Sequence, residues 1–224
     1  MANANGKQKN TKHVRSRKGM GILPKMLLMI LPVVLCALIV VALVSSNMAK
    51  TAVNEQTKNY VYAELDKNIN SIDGKLEKVR TTAEALSVVI SNTYQGMPMT
   101  AYNDVFGNLV LKDDLISGAG IWFEPGVYTG DEAYAGQQYV GPYWYEDNGQ
   151  IVEDWSYSNA EYDYFSQEYY LNAKATTEVE ATITDPYYDP SSGTVMASCS
   201  APVFDVSGKF MGCVSCDLTL DIIS

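Results

Sequence analysis

The sequence predicts an α+β protein in which a transmembrane helix continues into a long stalk helix packed on a mostly antiparallel sheet with small helices on it. Three observations predict it. Residues 26–44 are nineteen consecutive apolar positions broken only by Pro32, a helical apolar stripe follows, and beyond residue 118 short β-branched and aromatic runs alternate with turn residues. With 224 residues and 47% hydrophobic content, the chain has material for one domain with a real core besides its helices.

The span comes first. At about 1.5 Å per residue, nineteen apolar residues and their flanks cross a hydrocarbon core of about 30 Å. Pro32 is tolerated in such a helix and kinks it. The run is longer than the apolar region of a signal peptide, and Ser45-Ser46-Asn47-Met48 offers no A-x-A-like cleavage site, so an uncleaved span over 26–46 is expected. Charge is segregated around it. Seven of the sixteen Lys/Arg precede residue 26, where there is no acid, and from residue 47 onward nine bases face all twenty-six acids, a net charge of −17. The positive-inside rule then makes 1–25 a basic cytoplasmic leader and sends everything after residue 47 outside. A body so acidic repels nucleic acid, so the leader serves membrane topology rather than a nucleic-acid partner.

The stalk is expected over 47–95. Val61, Leu65, Ile69, Ile72, Leu76, Val79, Ala83, Leu86 and Ile90 recur at spacings of three and four with polar residues between most of them, one apolar face of a long helix. Gly74 is its weak point. Such a face zips against a second copy of itself, giving a homodimer, or lies against a sheet of its own chain; pairing is expected near the membrane and packing further out.

Gln95-Gly96-Met97-Pro98 ends that helix and opens the outer domain, 96–224. A short helix is expected over 101–115 and another over 162–174. Strands are expected over 119–123, 138–145, 150–155, 179–184, 194–204 and 209–218, the last two joined as a hairpin by Asp205-Val206-Ser207-Gly208.

Composition points the chemistry toward cations. From Glu124 to Asp189 there are fourteen acids against one base, Lys174, and twelve of the sixteen tyrosines. Most of these are packing material or solvated surface. Together, however, aromatic faces and carboxylates hold a cation by cation–π attraction and charge-assisted hydrogen bonds. No arginine follows Arg80 to clamp an anion. The one histidine, His13, lies in the leader, which removes Ser-His-Asp, Cys-His and HExxH chemistry from the outer domain; no enzyme activity, cofactor or metal is expected.

The order Tyr162-Asp163-Tyr164-Phe165, Glu168-Tyr169-Tyr170-x-Asn172-Ala173, Asp185-Pro186-Tyr187-Tyr188-Asp189, Ser200-Ala201-Pro202-Val203-Phe204 and Gly212-Cys213-Val214-Ser215-Cys216-Asp217-Leu218 resembles the double Cache sensor domain of bacterial methyl-accepting chemotaxis receptors. The resemblance covers about residues 26–224. It implies a PAS-like antiparallel sheet, the membrane-distal module of the pair, in a receptor that continues with a proximal module, a second span, a HAMP linker and a coiled-coil signalling region. It also implies a ligand pocket carried over onto Tyr162, Gln167, Tyr169, Tyr170, Tyr187, Asp189 and Asp217. The family arginine that grips a ligand carboxylate is Gln167 here and the tryptophan is Tyr169, whereas the ammonium-receiving groups are kept. The expected ligand is therefore a small cation or zwitterion, amines being favoured over amino acids. Asp189 reads equally as a turn residue before Pro190. Asp217 is the stronger candidate, because an acid inside an otherwise uncharged strand needs a partner or a ligand if buried.

Cys213-x-x-Cys216 has the spacing of a redox or zinc pair, but on a strand residues three apart point to opposite faces, and no second pair or histidine completes a metal site. Buried thiols, a bridge from Cys199 to one of them, or a metal are the readings left open. Three other functions remain besides a chemoreceptor: the sensor region of a histidine kinase or cyclic-dinucleotide enzyme, a membrane-anchored hydrolase using Asp189 and Asp217, and a purely structural anchored domain.

Overall fold

The structure is a computed structural model and describes residues 19, 21–189 and 193–219. Residues 1–18 and 20, with His13 and every basic residue of the leader but Lys25, and residues 190–192 and 220–224 lie outside the described residues. The chain divides into two units between Glu64 and Leu65.

Span and stalk form one helix, α1 (Ile22–Thr93), with Pro32 inside it. Among the described residues it is the helix long and apolar enough to cross a membrane. From Ile22 to Ala63 its side chains are exposed all round, Val61 among them.

In the second unit α1 is followed by α2 (Met99–Lys112), then β1 (Gly118–Phe123), β2 (Tyr143–Asp147), β3 (Gln150–Asp154), a 3-10 turn (Tyr164–Ser166), α3 (Glu168–Ala175), β4 (Thr182–Ile183), β5 (Tyr187–Asp189), β6 (Thr194–Phe204) and β7 (Phe210–Thr219). The sheet runs β3-β2-β1-β7-β6-β4, with β5 also pairing β6, and every pairing is antiparallel.

Alternation along the strands gives the sheet two unlike faces. Ala119, Ile121 and Phe123 of β1, Trp144 of β2, Ala197, Cys199 and Ala201 of β6, and Val214, Cys216 and Leu218 of β7 pack in one core with Val79, Ala83, Leu86 and Ile90 of α1 and with Tyr102, Phe106 and Val110 of α2. Phe106 stacks on Trp144 with ring centroids 4.7 Å apart. The predicted stripe of α1 therefore splits in use. From Val79 on it is buried under the sheet, Ile72 and Leu76 are half-buried, and Leu65 and Ile69 are exposed.

Several expected elements are trimmed, for local reasons. The helix expected over 162–174 starts only at Glu168, because Asp163 takes a left-handed φ of 46° and Gln167 is extended. The strand expected over 138–145 pairs from Tyr143, after Gly141-Pro142, with a single bridge from Val140 to Phe123 before it. The run over 179–184 keeps two paired residues, Thr182–Ile183. Asp189, readable as a turn residue, is the last residue of β5. The hairpin at 205–208 is as expected, and Gly212, opposite Phe123 and Val203, has φ 144°; a Cβ there would sit 2.2 Å from the Trp122 carbonyl oxygen.

Truncating Phe106, which is fully buried, removes a ring from the packed core. The variant Phe106→Ala is expected to lose about 3–5 kcal/mol in denaturant titrations followed by tryptophan fluorescence, whereas Val206→Ala, at the solvated hairpin turn, stays within about 0.5 kcal/mol.

Candidate ligand-binding site

The other face of the three central strands is built from small and polar residues. Their register aligns Gly118, Asp217 and Ser198 in one row, Gly120, Ser215 and Ser200 in the next, and Trp122, Cys213 and Pro202 in the third. Two rows offer almost no bulk, so aromatic rings lie directly on the sheet. A Cβ on Gly118 would be 2.0 Å from Tyr143 Oη, and one on Gly120 2.6 Å from Trp122 Cζ2. Trp122 Nε1 donates to Ser215 Oγ at 2.9 Å. Ser200 Oγ donates to the Tyr169 carbonyl at 2.7 Å, tying α3 to β6. Tyr187 and Ser198 share a hydroxyl hydrogen bond of 2.8 Å.

These groups enclose a cavity of about 40 Å³ lined by Trp122, Tyr143, Tyr157, Tyr162, Tyr169, Tyr187, Asp189, Met196, Ser215 and Asp217. One water needs roughly 10–15 Å³ of such space, so there is room for a group of a few heavy atoms. Of the residues singled out in the sequence, Tyr162, Tyr169, Tyr187, Asp189 and Asp217 meet here. Gln167 and Tyr170 are not in its wall. Gln167 Nε2 donates to the Tyr162 carbonyl at 3.0 Å and so steadies a residue that is. The Tyr170 hydroxyl donates to Glu124 Oε1 at 2.7 Å, with Lys174 paired to the same carboxylate; consecutive helix residues diverge by about 100°, so Tyr169 and Tyr170 face different ways. Trp122, Tyr143, Tyr157, Met196 and Ser215 were not foreseen. The alternation Gly118-x-Gly120-x-Trp122 was the available signal for the first two; Tyr157, in a loop, gave none.

The electrostatics centre on Asp217. Its residue is 6% exposed and its Oδ1 has no hydrogen-bond partner. Burial pushes its carboxyl up to about 6; the Ser198 and Tyr143 hydroxyls pull the other way, and the charge of Asp189 adds to the rise. Burial likewise raises the phenols of Tyr143, Tyr169 and Tyr187, and Tyr162 to about 12. Tyr169 Oη is buried without a partner in hydrogen-bond geometry, although the Tyr162 phenol is near enough to shift its ionisation. Among the described residues, no lysine, arginine or histidine lines the cavity. Rings and carboxyl groups without a base suit a positively charged group.

The cysteines stand apart from this chemistry. Cys199, Cys213 and Cys216 are free and buried, Cys213 on the cavity side of the sheet and Cys216 on the core side. Burial raises all three thiols, that of Cys199 to about 12.

The architecture is thus an antiparallel sheet with α1 and α2 packed on one face and, beneath α3 and a layer of aromatic rings, a small cavity on the other. The chain belongs to the family described as methyl-accepting chemotaxis protein-like, first PDC sensor domain, whose model matches residues 102–224. Among solved structures it is similar to methyl-accepting chemotaxis protein X, with a TM-score of 0.58 and 20% identity over 75% of this chain and 65% of that one. It is similar to the extracellular domain of mmHK1S-Z2, described as a histidine kinase, with a TM-score of 0.54 and 22% identity over 66% and 55%. It is also similar to the ligand-binding domain of the Pseudomonas aeruginosa amino acid chemoreceptor PctC in complex with GABA, with a TM-score of 0.53 and 15% identity over 75% and 66%. The chain spans 55% to 65% of the length of the first two. No curated protein matches it in sequence. An α+β sensor fold and a membrane protein with an N-terminal apolar helix follow from the family and the structure together.

Asp217 links the site to stability. Its carboxyl keeps a proton to about pH 6 in the fold against 3.8 ordinarily, so between those values the native state binds more protons than the unfolded one. Stability therefore falls as pH rises through that window, and the penalty is complete above it. The variant Asp217→Asn is expected to be more stable than the parent at pH 7.5, by up to roughly 3 kcal/mol, with the difference closing toward pH 4 in denaturant titrations.

Proposed function

We propose that the chain is the extracytoplasmic ligand-sensing part of a transmembrane chemoreceptor and that its ligand is a small amine. The observation that carries this is Asp217, a buried carboxyl group with an oxygen lacking a partner, in a cavity walled by phenol rings and, among the described residues, free of bases. An ammonium group supplies the missing donor and the missing charge at once. PctC, of the same fold, holds GABA, which has an amine at one end and a carboxylate at the other; this cavity offers partners for the amine end alone. Asp189 adds the second negative charge, and Tyr162, Tyr169 and Tyr187 present ring faces or hydroxyls.

In this reading residues 1–25 are the cytoplasmic leader, 26–46 the span, 47–95 the stalk, and 96–224 the membrane-distal module outside the cell. A ligand that binds one conformation better shifts the population toward it, and α1, which runs from the apolar segment into the core under the sheet, carries that shift. The exposed apolar residues Val61, Leu65 and Ile69 form the seam of a parallel homodimer. The ligand is sensed, not transformed. A histidine-kinase output is the second reading, favoured by the likeness to mmHK1S-Z2.

Calorimetry on the full chain in detergent tests this. At pH 7.5 n-butylamine is expected to bind and butanoate not to. Affinity falls as pH drops below about 6, because protonating Asp217 removes the charge that holds the ammonium group, and Asp217→Asn weakens butylamine at least about tenfold at pH 7.5. Tight butanoate binding, or unchanged amine affinity in Asp217→Asn, overturns the reading. The dimer is checked separately: Leu65→Cys in membranes is expected to cross-link to itself under mild oxidation, and Lys67→Cys, on the opposite face of the helix, much less.

A further inference from the structure

A second, larger cavity of about 260 Å³ adjoins the first, sharing Tyr143, Tyr157, Asp189 and Met196 with it. Its remaining wall adds Tyr145, Glu146 and Asp154 along with Ser117, Thr194 and Thr219, and again, among the described residues, no lysine, arginine or histidine. The two cavities are therefore neighbours across a common wall, with an inner acid, Asp217, a shared acid, Asp189, and two outer acids, Glu146 and Asp154. From this we infer that the sensor recognises linear diamines, with one ammonium group at Asp217 in the inner cavity and the second at Asp154 in the outer one. The inference rests on the amine reading of the inner cavity and narrows it to a class of ligand.

Register selects Asp154. It is directly opposite Tyr143 in the pairing of β2 with β3, so it stands on the same face of the sheet as the ring whose hydroxyl lies over Gly118, next to Asp217. Its Oδ1 accepts the Ser156 N–H at 2.7 Å, which fixes the carboxylate in place. Glu146 is engaged with the Gly149 N–H in the β2–β3 turn. Size points the same way. The inner cavity takes an aminomethyl group and little more, so the rest of the ligand lies in the outer one. There it runs between Tyr143, Tyr145 and Tyr157, whose faces suit methylene groups as well as cations. At its far end a carboxylate would meet like charge on Asp154 and Glu146, and a methyl group would meet nothing charged. A second ammonium group meets its complement. The unpartnered Asp217 Oδ1 and Tyr169 Oη mark the inner end as a place that a donor completes.

The test is calorimetry at pH 7.5 on the full chain in detergent, using the 1,3- to 1,6-diaminoalkanes, n-butylamine and 4-aminobutanoate. The best diamine is expected to bind at least about fivefold tighter than butylamine, with 4-aminobutanoate weaker than both. Asp154→Asn should bring the diamine to the butylamine level and leave butylamine itself within about twofold. Equal affinities for diamine and monoamine, or a loss in Asp154→Asn that falls equally on both, overturns the inference while leaving the inner amine site standing. If no amine binds the parent chain, both fall together.

Discussion

A carboxyl group that the fold buries and does not neutralise is the constraint from which the rest of this sensor's organisation follows. Asp217 stands in the middle of the sheet between β1 and β6, and its cross-strand neighbours are Gly118 and Ser198, neither of which brings a charge. A buried acid in such a place costs stability unless it finds a donor. The surrounding residues soften that cost without removing it. Two hydroxyls favour the ionised form, while the nearby Asp189 opposes it. The site is thus left with a carboxylate oxygen that no donor reaches, which is how it differs from a filled core.

Stability has to come from elsewhere, and the sheet's other face provides it. There the same strands contribute Ala, Ile, Phe, Val, Cys and Leu to a continuous core with α1 and α2, anchored by the Phe106–Trp144 stack. The aromatic cluster on the cavity side is a second, smaller body around Trp122, Tyr164, Tyr169 and Tyr170, joined to the sheet by the Trp122–Ser215 and Ser200–Tyr169 hydrogen bonds. Large rings over Gly and Ser rows give this side rigidity without filling it. Tyr164 illustrates the bracing: its hydroxyl donates to the Phe123 carbonyl at 2.6 Å and accepts the Val140 N–H at 3.1 Å, pinning the loop before β2 to β1.

What was legible in the sequence divides along the same line. Long periodic features read well, because period and length are set by burial of a whole face: α1 with its apolar stripe, and the β6–β7 hairpin with its Asp-x-Ser-Gly turn. Short pieces read poorly. β5 has three residues next to Pro186, and its strand character comes from pairing with Met196, Val195 and Thr194 rather than from its own composition. Asp217 was legible as a charge inside a neutral strand. Trp122 and Tyr143 were not foreseen: the Gly118-x-Gly120-x-Trp122 alternation that leaves room for both rings is local, but the pairing that sets Tyr143 over Gly118 is a strand register that local sequence does not encode. Gln167 and Tyr170 were carried over from a motif; the 3-10 turn and α3 point them at Tyr162's backbone and at Glu124 instead of into the cavity.

Strand β7 has one more consequence. Asp217 is flanked in sequence by Cys216 and Leu218, whose side chains lie among those packed under α1 and α2, while its own carbonyl accepts the Ser117 N–H at the mouth of β1. The cavity face and the core face of the sheet are separated here by a single peptide unit. A displacement of the Asp217 carboxylate is thus one residue away, on either side, from side chains packed in the same core as α1 and α2, and the alternation of the strand is what sets the two chemistries back to back.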